Sequence, residues 1–326
     1  MKNLILIIVL ISIFSCHKEI KNIKASGPVF GTSYSIIYNA KSSNNFQKQF
    51  DSLFYVINNS MSNYQPNSDI SKLNRNEAID VDSHFEKVFK ASKKIFNETE
   101  GVFDPTIGKL VNAWNFGSEE NNMKLDSIKI DSLMQFVGFE KMKLSGKKIL
   151  KEEPKPYIDF NAIAKGYGID VIAEFLERKG IDNYLVEIGG EVRAKGINLE
   201  KNSEWRVGLQ DPNFNGETSY SKSIPLKDAS MATSGTYRKF KLDENGNRYA
   251  HIINANTGYP TKTNVLSVSV IAENCMLADG YATAFQAMGI EKVKRFLTNH
   301  PELKVYFIFE NENKVLETLA LNGFMQ

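Results

Sequence analysis

Apolar residues at Phe46, Phe50, Leu53, Phe54 and Ile57 recur at the spacing of one helix face, and the stretch 44–60 is predicted helical. Residues 83–98 repeat the pattern with Phe85, Val88, Phe89, Ser92 and Phe96 aligned on one side. Between an N-terminal strand predicted at 29–38, "VFGTSYSIIY", and these helices the character changes from β-branched and aromatic to amphipathic. "MSNYQPNSDISKLN" reads as a loop or a broken pair of turns, and "ETEGVFDPTIG" as a glycine- and proline-marked loop. The segment 121–153 is strongly charged, with short apolar pieces such as "FVGF" and "KIL", and suits small exposed strands or an insertion. An extended "YIDF" then precedes Ile163, Tyr167, Val171 and Phe175 at helical spacing, a helix running to about residue 179. "NYLVEIGGEVRAKG" and "WRVGLQDP" are successive strands, a strand and turn fall between 223 and 233, and "NVLSVSVIA" is the cleanest strand. "ENCMLADGYATAFQAMG" returns to helix. No repeat or heptad run organises the chain. The irregular alternation predicts α+β architecture, with mixed sheets and packed helices, rather than a doubly wound domain.

The first fifteen residues, "MKNLILIIVLISIFS", break this pattern: one lysine, an apolar run too short for an ordinary span, and then Cys16 followed by "HKEIKNIK". Ile13-Phe14-Ser15-Cys16 is a loose lipobox, so residues 1–15 are expected to be a lipoprotein signal peptide, Cys16 the acylated N-terminus, and 16–27 a polar tether. After cleavage a single cysteine, Cys275, would remain besides Cys16, which leaves no internal disulfide to form within the folded domain. The 40 Lys and Arg against 38 Asp and Glu give a net charge of +2, and loss of Lys2 would lower it further. Charge balance therefore gives no reason to expect a nucleic-acid partner.

The chemistry concentrates in a few short stretches. In "DFNAIAKGYGID" Asn161 is placed to cap a helix whose first amides favour an anion, and Lys165, at about the second turn, adds a full positive charge. Gly166 and Gly168 cost helix propensity and admit either a neighbouring helix or a flat ligand. In "CMLADGYATAF" Asp279 and Thr283 are four apart and share a helix face, a hard-oxygen pair suited to Mg²⁺ or Ca²⁺, or else a capping feature. Clustered His and Cys are missing from the sequence, which argues against zinc. His251, one of four histidines, follows a short strand in "RYAHIINANTGYP" and is either a reachable general base or a packed edge residue. "LVEIGGE" lacks the spacing of a dinucleotide fingerprint.

Taken in order, "FGTSY", "MSNYQPNSDISKLN", "GVFDPTIGKLVNAW", "DFNAIAKGYGID", "LVEIGGEVRAKG", "WRVGLQDP", "MATSGTYRKF", "YAHIINANTGYP" and "ENCMLADGYATAFQAMG" resemble the bacterial FAD:protein FMN transferase family, the ApbE-type flavin transferases. The resemblance implies an ApbE-like flavin transferase domain over 28–326, with an active-site cleft between lobes. It implies FAD as substrate and Mg²⁺ on its pyrophosphate, with Ca²⁺ a possible substitute in vitro. FMN would pass to a threonine or serine hydroxyl of an acceptor flavoprotein, and AMP would leave. Flavin and nucleotide contacts would fall on Tyr64, on Val102, Phe103 and Asp104, on Asp159 and Lys165, and on His251, Ile252 and Ile253. The metal ligands would be the Ala162 carbonyl and the side chains of Asp279 and Thr283.

The sequence departs from the family pattern at Asn254-Ala255, where relatives carry an acid and a proline, at Thr236 after "TSG", and at Gly280 after the metal aspartate. His251 or Asp279 would accept the hydroxyl proton. An FAD pyrophosphatase would use the same metal and FAD with water attacking, and a lipoprotein that only binds FAD would keep the aromatic and glycine contacts without releasing AMP. Acceptors implied by the family are flavin-carrying subunits of sodium-pumping or related electron-transfer complexes, with the enzyme exported and lipid-anchored at the inner membrane, facing the periplasm.

Overall fold

The computed structural model describes residues 21–40, 45–119, 121, 125–152, 156–210, 220–236, 240–242, 248–261 and 263–324. Cys16 and the apolar run before it lie outside them. Residues Lys21–Val29 (β1) and Thr32–Ala40 (β2) pair antiparallel around a turn at Phe30 and Gly31, both with positive φ. The twist of two strands favours such a turn. The expected tether is therefore too long at its C-terminal end: 21–27 is edge strand, too polar to reveal itself because an edge strand buries little. The strand expected at 29–38 is the turn plus most of β2.

Helices α1 (Gln47–Met61) and α2 (Ser83–Glu98) follow where the apolar spacing placed them, α2 capped by Asp82, which accepts from the Phe85 N–H at 2.8 Å. The loop rich in Asn and Ser holds a six-residue helix, Asp69–Asn74, capped by Ser68. The charged segment contains the expected small hairpin, Met142–Ser145 with Lys148–Lys151, and also a short helix, Ser127–Met134.

Next come α3 (Ala164–Arg178), β3 (Tyr184–Ile188), β4 (Glu191–Lys195), β5 (Ala229–Gly235), β6 (Val265–Ala272), α4 (Cys275–Met288), α5 (Ile290–Leu297), β7 (Lys304–Glu310) and β8 (Leu316–Leu321). The eight strands β1 to β8 lie side by side in chain order. Helices pack on the sheet as an α+β architecture requires, but the main sheet's pairings are all antiparallel rather than mixed.

Alternation along the strands divides the core. Ile36, Tyr38, Val186 and Ile188 face Phe50 and Phe54 of α1 and Ile172 and Leu176 of α3. Further along, Val268, Val270 and Phe307 meet α2 and α4 through Ile95, Tyr281 and Phe285. The other face is covered by the hairpin Ser203–Gln210 and Tyr220–Leu226, whose Trp205, Val207 and Ile224 join Val192, Met231 and Ile308. Among the described residues no helix is long and apolar enough to cross a membrane.

Candidate active site

The N-terminal turns of α3 and α4 run antiparallel against each other and exchange hydrogen bonds, α4 also having its own cap, Asn274, whose Oδ1 accepts from the Leu277 N–H at 2.9 Å. Helix α3 has no side-chain cap of its own. The Gly166 N–H donates instead to Asp279 Oδ2 at 3.0 Å. In return Asp170 of α3 accepts from Cys275 N–H at 2.9 Å and Met276 N–H at 2.8 Å, and Arg193 Nη1 holds the same carboxylate at 2.7 Å. Free first-turn amides and the helix dipole both favour a carboxylate here. Asn161, expected as the α3 cap, donates its N–H and side-chain amide to Asp159 at 2.7 and 3.2 Å. The helix begins two residues later than that cap requires, which puts Lys165 in the first turn rather than the second.

Close crossing explains the glycines. A Cβ on Gly166 would lie 2.2 Å from the Cys275 carbonyl oxygen and 2.8 Å from Asp279 Cβ, and one on Gly168 would lie 2.7 Å from the Phe30 ring. Both positions admit protein, not a flat ligand. Gly166→Ala is expected to lower stability by about 2–3 kcal/mol, because the clash is with backbone and exceeds the helix propensity gained. A thermal melt of the metal-free protein measures it, and an unchanged melting temperature would show that the helices part freely.

The crossing sits where the sheet comes apart. Strand β5 pairs with β4 only from Ala229 to Met231, yet stays on β6 as far as Gly235. At this split Lys165 Nζ donates to Glu191 Oε1 at 2.5 Å, and Glu191 is 4% exposed. Burial alone would lower the lysine pKa, but Glu191 and Asp279 push it up to about 12. Burial pushes the Asp279 carboxyl up to about 7, with Glu191 adding to the rise and Lys165 opposing it. One turn along α4, Thr283 Oγ1 lies 3.1 Å from Ser234 Oγ of β5. Asp279 and Thr283 thus share a face turned toward the split, and Ala162 stands in the turn leading into α3.

Carboxylate, hydroxyl and backbone carbonyl are the hard oxygens that Mg²⁺ takes. A buried carboxylate driven toward neutrality, beside a second one, is a place where a divalent cation relieves repulsion. The residues fit the ion. Among the described residues Glu191 Oε2 is buried without a hydrogen-bond partner, a feature that costs about 1–3 kcal/mol.

A second group gathers around the residues preceding α3. Tyr64 is 62% exposed, and its hydroxyl pKa is raised by burial and by the Asp159 carboxylate near it. The Asp159 N–H donates to the Pro105 carbonyl at 2.7 Å, tying this stretch to the loop at 102–106. Asn74 brackets the Ile158 peptide, accepting from its N–H and donating to its carbonyl, both at 2.8 Å.

Asp104 faces inward, accepting from the Thr106 N–H at 2.7 Å, the Thr106 hydroxyl at 2.6 Å and the Phe139 N–H at 3.2 Å, while Phe103 belongs to the main core. For a ligand this loop offers backbone and Val102, not the Phe103 or Asp104 side chains. Ile252 and Ile253 are likewise buried, and Thr261 N–H donates to the Ile252 carbonyl at 2.8 Å. His251 is half-buried with its ring edge-to-face on Phe116, centroids 6.1 Å apart.

The sequence and the fold are similar to those of known proteins. Residues 30–307 match the ApbE family. The FAD:protein FMN transferase of Vibrio cholerae is 36% identical over 291 residues, covering 87% of this chain and 86% of its own length. That of Haemophilus influenzae is 34% identical over 325 residues, 95% and 93% of the two chains. The solved structure of the flavin transferase ApbE from Vibrio cholerae superposes with a TM-score of 0.85 at 33% identity, over 94% of this chain and 99% of that one.

The chain belongs to the ApbE family. The three positions expected to depart from the family pattern each have a local structural setting. Asn254 closes the turn after His251, its Oδ1 accepting from Asn256 N–H at 2.9 Å and its own N–H donating to Tyr259 at 2.9 Å. Thr236 is buried with its hydroxyl against the Leu266 carbonyl at 3.3 Å. At Gly280 a Cβ would lie 2.4 Å from Ile95 Cδ1, so the α2 side chain occupies the space an alanine would need. Asp170, Glu191 and Ser234 complete the site and were not expected from sequence. Only Asp170 leaves a trace there, as an acid on the apolar side of α3 beside Val171.

Proposed function

We propose that this chain transfers FMN from FAD to a threonine or serine hydroxyl of an acceptor flavoprotein, with Mg²⁺, and releases AMP. The observation that carries the reading is the meeting of the buried Asp279 with the half-buried Thr283 and Lys165 at the split in the sheet, in a member of the ApbE family. Two buried carboxylates beside a half-buried ammonium in a polar niche fit a phosphate-rich ligand with a divalent ion better than a neutral one.

Asp279, Thr283 and the Ala162 carbonyl would hold Mg²⁺, which when bound would neutralise charge on the pyrophosphate. Lys165 pairs with a phosphate oxygen and, with its pKa high, remains protonated throughout. Tyr64, Val102 and Asp159 flank the flavin and nucleotide, with the backbone of 103–104 and 252–253. The acceptor oxygen bonds to the FMN-side phosphorus as the bond to the AMP oxygen breaks. His251 takes the hydroxyl proton, because Asp279 accepts from the Gly166 N–H and would be committed to the metal when it binds.

Incubating the purified protein with FAD, Mg²⁺ and an acceptor domain, followed by the mass of the acceptor, tests the reading. A gain of one FMN with one AMP released is expected. AMP and free FMN without a labelled acceptor would make the enzyme a pyrophosphatase.

The proposed location is the inner membrane facing the periplasm, through acylated Cys16, next to flavin-carrying subunits of sodium-pumping or related electron-transfer complexes. The sequence motif supports it. Protein purified from cells is expected to begin at a lipid-bearing Cys16, and Cys16→Ser to lack the lipid. An intact mass that retains residues 1–15 and no acyl group would overturn the assignment.

A further inference from the structure

Glu191 is assigned no contact with metal, FAD or acceptor in the reading above, and it opens β4 directly after the Gly189-Gly190 turn. Its carboxylate is 4% exposed; Oε1 accepts from Lys165 Nζ, and Oε2 meets no donor. Among the described buried polar atoms without a partner, Oε2 is the only one from a charged group. Lys165 is thus the one described side chain that stabilises this carboxylate. If the ammonium swung away to follow a ligand, both oxygens would be stranded in a buried place. Leaving is therefore penalised, and the lysine is held where it is.

We propose that Glu191 is a positioning residue: it anchors Lys165 and offsets part of its charge, lowering ground-state affinity for FAD while fixing the ammonium in the geometry that transfer needs. The inference rests on the proposed transferase reading. Electrostatically, a carboxylate beside the ammonium weakens its attraction for an approaching pyrophosphate. Geometrically, an anchored ammonium needs no reorganisation as charge moves toward the leaving AMP. A free ammonium would bind phosphate in whatever arrangement is tightest, which strengthens ground-state binding without accelerating transfer.

The test compares the parent, Glu191→Gln, Lys165→Ala and the double variant, using the full protein, FAD titration and single-turnover FMN transfer to an acceptor domain. Glu191→Gln is expected to bind FAD as tightly as the parent or several-fold tighter, and to transfer about tenfold more slowly. Adding Glu191→Gln to Lys165→Ala is expected to change neither quantity further, since the residue acts through the lysine. Glu191→Asp keeps the charge with a shorter reach; it should slow transfer without tighter binding, and serves if Glu191→Gln fails to fold.

Weaker binding together with slower transfer in a folded Glu191→Gln protein would reduce Glu191 to a structural role and overturn the inference. Unchanged binding and transfer, or effects that multiply in the double variant, would overturn it as well. A parent that binds FAD but transfers no FMN would overturn the functional reading alone, because the FAD titrations of the four proteins still decide whether Glu191 restrains binding through Lys165.

Discussion

Asp279→Ala is expected to abolish Mg²⁺-dependent FMN transfer, by about 10³-fold or more, while leaving the metal-free protein folded. The carboxylate is the one charged member of the proposed oxygen set, so its loss removes most of the attraction for a divalent ion. Its loss also removes the acceptor of the Gly166 N–H, a cap worth about 1 kcal/mol. Against that, the variant no longer buries a carboxylate that its surroundings already drive toward the neutral form. The two effects offset, and the melting temperature without metal should change little. A second measurement separates metal binding from catalysis: added Mg²⁺ should raise the melting temperature of the parent and not of the variant. Full transfer by Asp279→Ala at ordinary Mg²⁺ would rule out the metal assignment.

His251→Ala is expected to bind FAD nearly as the parent does, yet to transfer FMN about 10² to 10⁴ times more slowly. The imidazole stands on a segment separate from α3 and α4, edge-on to Phe116, so its removal leaves the Lys165 and Asp279 constellation in place. Single-turnover AMP release with saturating acceptor reads the chemical step, and flavin fluorescence reads binding. Release at the parental rate would make His251 a packing residue and move the search for the base to the acceptor itself.

Much of this site is legible in the sequence for a physical reason: a helix has one period, so Asp279 and Thr283, four apart, must share a face. The helices with the cleanest apolar spacing, Ser83–Glu98 above all, fall where that spacing puts them. What one segment alone cannot reveal is the partner that another segment brings. Asn161 has the chemistry of a cap, but Asp279, 113 residues from Gly166, takes the position. Asp104 looks like a ligand-facing acid in a loop and is instead buried against Thr106 and Phe139. Glu191 opens a strand like many surface acids, and only the fold sets it against Lys165. The edge strand β1 is hidden for the opposite reason, since it buries too little to pattern its sequence.

The order of the sheet bears on how the molecule is made. Strands β2 and β3 are neighbours, with Tyr38 opposite Tyr184, yet the whole of α1, α2 and α3 is synthesised between them. A nascent chain therefore completes its first hairpin early and then carries the apolar face of Tyr34, Ile36 and Tyr38 without its neighbouring strand until β3 emerges. Closing a contact over so long a stretch is entropically slow, and an unpaired strand edge invites pairing with other chains meanwhile. Because α3 directly precedes β3 and shares one apolar core with β2, its burial in that core is expected to carry β3 toward its neighbour, which gives the helix that bears Lys165 a part in closing the sheet.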